Sequence, residues 1–111
     1  MMKNRKALGD MGEHFAAAML FDEGYSILET KYVCPMGEID IIAAKENELH
    51  FVEVKTRQTD TFGRPAESVT REKQRRMKAA AKHYLQYKSV EHQYVSFQIF
   101  EIYINQIEHA F

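Results

Sequence analysis

The residues best suited to chemistry sit in two short apolar segments of this 111-residue chain. One is Gly37-Glu38-Ile39-Asp40-Ile41-Ile42, the other Phe51-Val52-Glu53-Val54-Lys55. Both read as β-strands, in which side chains alternate between faces. Glu38 then shares a face with Asp40, and Glu53 with Lys55. The intervening Lys45-Glu46-Asn47-Glu48 reads as a tight connection, with Asn47 suited to an unusual backbone angle. A hairpin closed about the midpoint of Glu46 and Asn47 sets Ile41 against Val52 and Ile39 against Val54, one coherent apolar face. The same register sets Asp40 against Glu53 and Glu38 against Lys55. A slip of one residue would put apolar side chains opposite these charges, so the hydrophobic pattern selects this pairing.

Two carboxylates facing each other across a sheet repel, and a cation between them removes the conflict. Oxygen ligands with open coordination positions suit Mg²⁺ or Mn²⁺, which use one or two protein carboxylates and take the rest from water and phosphate. Lys55 is then placed to orient an attacking water or to offset charge developing on a phosphate. Glu13, on the first expected helix, supplies a third acid if that helix packs on this face. The implied chemistry is metal-assisted hydrolysis of a phosphodiester. The bland reading of Glu38 and Lys55 is a cross-strand ion pair contributing at most about 1 kcal/mol. The tripeptide Glu53-Val54-Lys55 is common by composition alone, so the weight falls on Asp40, Glu53 and Lys55 together.

The surrounding pattern supplies elements to hold these residues. A helix is expected from about Leu8 to Glu23, with Phe15, Ala16, Met19 and Leu20 at helical spacing and Gly24 as its stop. Strands follow over Tyr25–Val33, Glu38–Ala44 and Leu49–Thr56, the first two joined by a turn at Pro35-Met36-Gly37. Arg57 to Ala66 reads as a loop. Ser68 or Thr70 is expected to cap a second helix that runs to about Lys88, with Met77, Ala80, Ala81, Tyr84 and Leu85 as its apolar stripe. Tyr94 to Ile104 reads as a strand buried on both faces, and Ile107 to Phe111 as a short last strand. The expected fold is α/β, in the order α-β-β-β-α-β-β, a central mixed sheet flanked by helices in a single domain over residues 1–111.

Composition narrows the class. Hydrophobic residues are 45% and charged residues 28%, which is ordinary for a globular domain. No apolar run is long enough to span a membrane, and the N-terminus lacks the apolar run and cleavage site of a secretory signal. Cys34 is the only cysteine, so an intrachain disulfide is excluded and a cytoplasmic address is expected. The net charge is -1, yet seven of the fifteen Lys and Arg residues lie between Arg71 and Lys88, beside one acid, Glu72. Lys73 and Arg76 in this segment are candidate phosphate contacts, with Arg57 and Arg64 flanking from the preceding loop. A solvated helix face is the plainer reading. Lys73 or Gln74 could also reach the carboxylates, since the pattern leaves the helix rotation open. The five histidines have no partner at ligand spacing. His50 is expected to be a partly exposed strand residue, and Tyr84 and Tyr87 to be packing residues.

Gly9-x-x-Gly12-Glu13, Gly37-Glu38-Ile39-Asp40-Ile41-Ile42-Ala43 and Phe51-Val52-Glu53-Val54-Lys55-Thr56-Arg57 together resemble the YraN-like family of small bacterial proteins. The likeness continues through Phe62-Gly63-x-Pro65-x-Glu67-Ser68-Val69-Thr70, Lys73-x-x-Arg76 and His109-Ala110-Phe111, nearly the whole chain. The resemblance implies a restriction-endonuclease-like fold of the PD-(D/E)xK nuclease group, with a more distant similarity to archaeal Holliday-junction resolvases. It implies catalytic and metal roles for Asp40, Glu53 and Glu13, a catalytic role for Lys55, and the carbonyl of Val54 as a further ligand. The name-giving Pro of that group is replaced here by Ile39. The implied function is Mg²⁺- or Mn²⁺-dependent cleavage of structured or branched DNA, DNA being favoured over RNA. A homodimer is implied too, because a four-way junction takes two symmetric cuts. Two alternatives stay open: a nucleic-acid-binding module that keeps the fold without cutting, and a protein-interaction domain.

Overall fold

The computed structural model describes residues 4–58, 69–88 and 94–111. Arg64, and Ser68 as a helix cap, lie outside the described residues. The elements run α1 (Arg5–Asp22), β1 (Ser26–Cys34), β2 (Gly37–Lys45), β3 (Glu48–Gln58), α2 (Arg71–Tyr87) and β4 (Tyr94–Ile104). The strands form one mixed sheet in the order β1-β2-β3-β4, antiparallel as far as β3 and parallel between β3 and β4. Among the described residues, no helix is long and apolar enough to cross a membrane.

α1 starts before the expected Leu8 because Asn4 caps it, its Oδ1 accepting the Lys6 and Ala7 N–H groups at 2.9 and 3.2 Å. It stops where Gly24 adopts φ +97° and the Tyr25 N–H returns to the Leu20 carbonyl at 3.0 Å. Ala16 and Leu20 of the expected stripe are buried; Phe15 and Met19 face solvent. α2 is capped by Thr70, whose Oγ1 accepts the Lys73 N–H at 3.1 Å. Thr70→Ala is expected to cost about 1 kcal/mol, read as a fall of roughly 5 °C in Tm by circular dichroism.

The sheet is packed on both sides. Tyr32, Ile39, Ile42, Leu49 and Phe51 meet Met77, Ala80, Ala81 and Tyr84 of α2. Ile41, Ala43 and Val52 meet Ala16 and Leu20 of α1. Ile39 and Ile41 therefore serve opposite faces, which corrects the single face expected from strict alternation. The reversal coincides with Lys31, which lies between the pairs Thr30–Ile41 and Tyr32–Ile39 and takes φ +51°. A left-handed residue inside a strand breaks the alternation on both sides of it.

Further expectations change, among them that of Tyr87 as a packing residue, since it is exposed. The residue with positive φ in the β2–β3 turn is Glu46, not Asn47. β3 continues to Gln58, so Arg57 belongs to a strand, in register with Tyr103, rather than to a loop. β4 has the expected bounds but forms an edge of the sheet, leaving Tyr94, Val95, Phe97 and Tyr103 exposed instead of buried on both faces. Residues 107–111 form no strand, and Ile107 and Phe111 are exposed.

Candidate functional site

Asp40 stands where β2 parts from β3. The antiparallel ladder runs in the expected register from Lys45–Glu48 to its last pair, Ile41–Val52. Beyond that pair the Val54 N–H donates to Asp40 Oδ2 at 2.8 Å. A side-chain carboxylate thus takes the donor that a neighbouring strand's carbonyl would otherwise receive. On its other edge β3 stays paired with β4 as far as Gln58–Ile104. One rigid strand therefore presents Glu53 and Lys55 beside a local opening, and Asp40 inserts into that opening.

Glu53 projects toward α2, with its side chain 11% exposed. The Lys73 ammonium reaches Glu53 Oε1 at 2.8 Å from the first turn of α2. Asp40 accepts from the residue next to Glu53, and the Glu53 carboxyl is near enough to act on it. Burial pushes the Asp40 carboxyl up to about 6; the Val54 N–H pulls it down, the neighbouring Glu53 carboxyl pushes it up again, and the Lys73 charge draws it down. A carboxylate close by makes a second negative charge, on Asp40, less favourable. The expected meeting of Asp40 and Glu53 is thus present, though made through the end of the ladder rather than as a paired rung.

The other expected site residues are placed as follows. Lys55 is half-buried on β3, in register with Glu101. Val54 is partly buried against the α1-side core. Glu13 lies on α1, its buried Oε1 3.1 Å from Lys31 Nζ, without the alignment of a hydrogen bond. Lys31 also binds Asp10 at 2.9 Å. Among the described residues, no His, Cys, Asp or Glu side chains gather in a cluster of three that could hold a metal. Asp40 and Glu53 offer two carboxylate donors, and a divalent cation there would need water or substrate oxygen to complete its shell.

Lys73 and Arg76 line a cleft of about 400 Å³ between α2 and the β1–β2 turn, together with Glu38, Met36 and Cys34. Gly37 follows that turn at φ +152°, a backbone conformation that residues with a side chain rarely adopt. Gln74 turns away and donates to the Val69 carbonyl at 2.9 Å. The pairing of Lys73 with Glu53 is the feature the sequence left open. Its signal is the α2 stripe, which extended back one turn from Met77 meets Lys73. His50 is buried rather than partly exposed, with Glu48 at 3.1 Å and Gln98 at 2.6 Å on its two ring nitrogens.

The family model described as "Uncharacterised protein family UPF0102" matches residues 12–102, a span that holds every residue of this site. The chain belongs to the UPF0102 family. It is 48% identical over 102 residues to a UPF0102 protein of Clostridium perfringens strain 13, covering 92% of this chain and 84% of the relative. It is 51% identical over 85 residues to a UPF0102 protein of Moorella thermoacetica, covering 77% and 71%. A UPF0102 protein of Dictyoglomus thermophilum is 43% identical over 103 residues, covering 93% and 87%. Membership in UPF0102 agrees with the YraN-like resemblance of the motifs.

Proposed function

We propose that this UPF0102 protein is a divalent-metal-dependent endonuclease of the restriction-endonuclease-like, PD-(D/E)xK type, acting on structured or branched DNA. The observation that carries the reading is the convergence of two part-buried carboxyl groups at the parting of β2 and β3, where Asp40 accepts the N–H of Val54, the residue after Glu53, at 2.8 Å. Their mutual repulsion destabilises the fold unless a proton or a cation offsets it. Two oxygen donors suit Mg²⁺ or Mn²⁺ better than a nitrogen- or sulfur-seeking metal. The element order, with an antiparallel hairpin followed by a parallel β4 beside β3, agrees with the α-β-β-β-α-β core that the motif resemblance implies.

In this reading Asp40 and Glu53 hold the cation, which lowers the pKa of a bound water and polarises the phosphate when present. The Val54 N–H fixes the orientation of Asp40. Lys55, two residues beyond Glu53 on the same strand, sets its ammonium against charge developing on the phosphate. Arg76 and Lys73 contact neighbouring phosphates from the cleft, Arg57 flanks the strand end, and Glu13 assists from α1. The nucleic acid is DNA, and two copies of the chain act together on a junction.

One observation favours a second reading. The Lys73 ammonium already partners Glu53, as in a nuclease fold that binds nucleic acid without cutting it. The test incubates purified protein with branched and plain duplex DNA in Mg²⁺, Mn²⁺ or EDTA. Divalent-dependent nicking that falls roughly a hundredfold or more in Glu53→Gln and in Lys55→Ala is the expected result. Salt-sensitive binding with no cleavage under any ion selects the second reading.

A further inference from the structure

Lys73 has two stations within reach of one side chain. Its backbone is fixed at the start of α2, where its N–H donates to the Thr70 cap at 3.1 Å. Its Nζ lies 2.8 Å from Glu53 Oε1, yet the side chain is 30% exposed and also borders the cleft that holds Arg76 and Glu38. A fixed Cα with a flexible four-carbon stem can exchange between these places without moving the helix. Its charge balance is also incomplete. One ammonium supplies a single positive charge, whereas two carboxyl groups, Asp40 and Glu53, meet at this place.

We infer that Lys73 is a resident counter-cation that keeps the carboxylate pair assembled and is displaced when a divalent cation binds. The inference rests on the nuclease reading of the Asp40–Glu53 site. A divalent ion between those carboxylates satisfies both charges and repels the ammonium beside it. Lys73 then turns into the cleft, where it and Arg76 form a two-charge seat for a phosphate of the bound strand. Metal loading and anion binding are thereby coupled, each favouring the other. Lys73 acts here as a positioning residue, and the reading given to its pairing with Glu53 changes from a dead site to a closed one.

The experiment titrates Mn²⁺ alone, by calorimetry, into wild type, Lys73→Met, Lys73→Arg and Asp40→Asn. Removing the competitor is expected to tighten Mn²⁺ binding roughly tenfold in Lys73→Met, since one neighbouring charge at this range acts on that scale. Lys73→Arg, which keeps the charge, is expected to stay near wild type, and Asp40→Asn to lose the site. Mere structural damage would weaken metal binding, so a tighter Lys73→Met is the discriminating result. Equal or weaker binding in Lys73→Met overturns the inference while the wild-type metal site, and with it the nuclease reading, stands. Binding in Lys73→Met alone supports the inference and turns the function toward the non-cutting reading. Absence of Mn²⁺ binding in every variant overturns both.

Discussion

Asp40→Asn is expected to abolish divalent-dependent DNA cleavage, by roughly a thousandfold or more, and to make the metal-free protein more stable at neutral pH. Both effects have one origin. Asn keeps an oxygen to accept the Val54 N–H, now at 2.8 Å from Asp40, but brings no charge beside Glu53. The Asp40 carboxyl is raised from 3.8 to about 6, chiefly by burial, with Glu53 adding to the rise against the pull of the Val54 N–H. A carboxyl raised in this way binds its proton more tightly folded than unfolded. Its contribution to stability is complete below about pH 4 and is lost as the pH rises through about 6. Allowing for the solvent that still reaches Asp40, the loss is on the order of 1–2 kcal/mol. Asn has nothing to lose, so the variant and wild type should melt alike near pH 4 in this respect and diverge by roughly 4–8 °C above pH 7. Mn²⁺ should raise the Tm of wild type and leave Asp40→Asn unmoved. Thermal melts in EDTA and in Mn²⁺ from pH 4 to 8 check every part of this. Parallel curves across that range would show that the Asp40 carboxyl is not raised by its surroundings.

This opposition of stability and function explains which parts of the molecule were legible in its sequence. The α2 stripe and the β2–β3 register could be read because both follow from burying apolar residues with a fixed period. Met77, Ala80, Ala81 and Tyr84 cover one face of the sheet, and Ile41 pairs with Val52. Propensity and pattern agree there. They disagree at Lys31, a long cationic side chain at φ +51°, a conformation its type disfavours. What holds Lys31 is tertiary: its ammonium lies between Asp10 and Glu13 of α1. No local signal announces such a contact, so the reversal of faces between Ile39 and Ile41 was invisible. The end of the β2–β3 ladder was hidden for a related reason. Alternation gives a register but not the rung at which the strands part, and the Asp40–Val54 bond that marks the parting is a side-chain event. The outer strand is a matter of order. An apolar run such as Tyr94–Ile104 looks the same in the centre of a sheet and at its edge.

Gly12→Ala tests how α1 is seated on that sheet. On helix propensity alone, Ala is favoured over Gly by about 1 kcal/mol. The packing opposes it: a Cβ at Gly12 would lie 1.7 Å from Thr56 Oγ1 and 2.9 Å from Thr56 Cβ. Thr56 cannot step aside by rotation, because its Cβ is part of the backbone position and its branched χ1 is stiff. α1 would have to lift from β3, loosening Ala16 and Leu20 from Ile41, Ala43 and Val52. The expected net cost is about 2–4 kcal/mol, a fall in Tm of more than about 10 °C. Thr56→Ala alone is expected to cost little, since the Thr56 hydroxyl is buried with no hydrogen-bond partner. Adding it to Gly12→Ala should recover about half of the loss, a coupling that a double-mutant cycle measures directly. Thermal melts of the four proteins decide the matter. A Gly12→Ala protein as stable as wild type would mean that α1 stands away from β3. In that case Glu13, one residue along the helix, would also lose its fixed place beside Lys31.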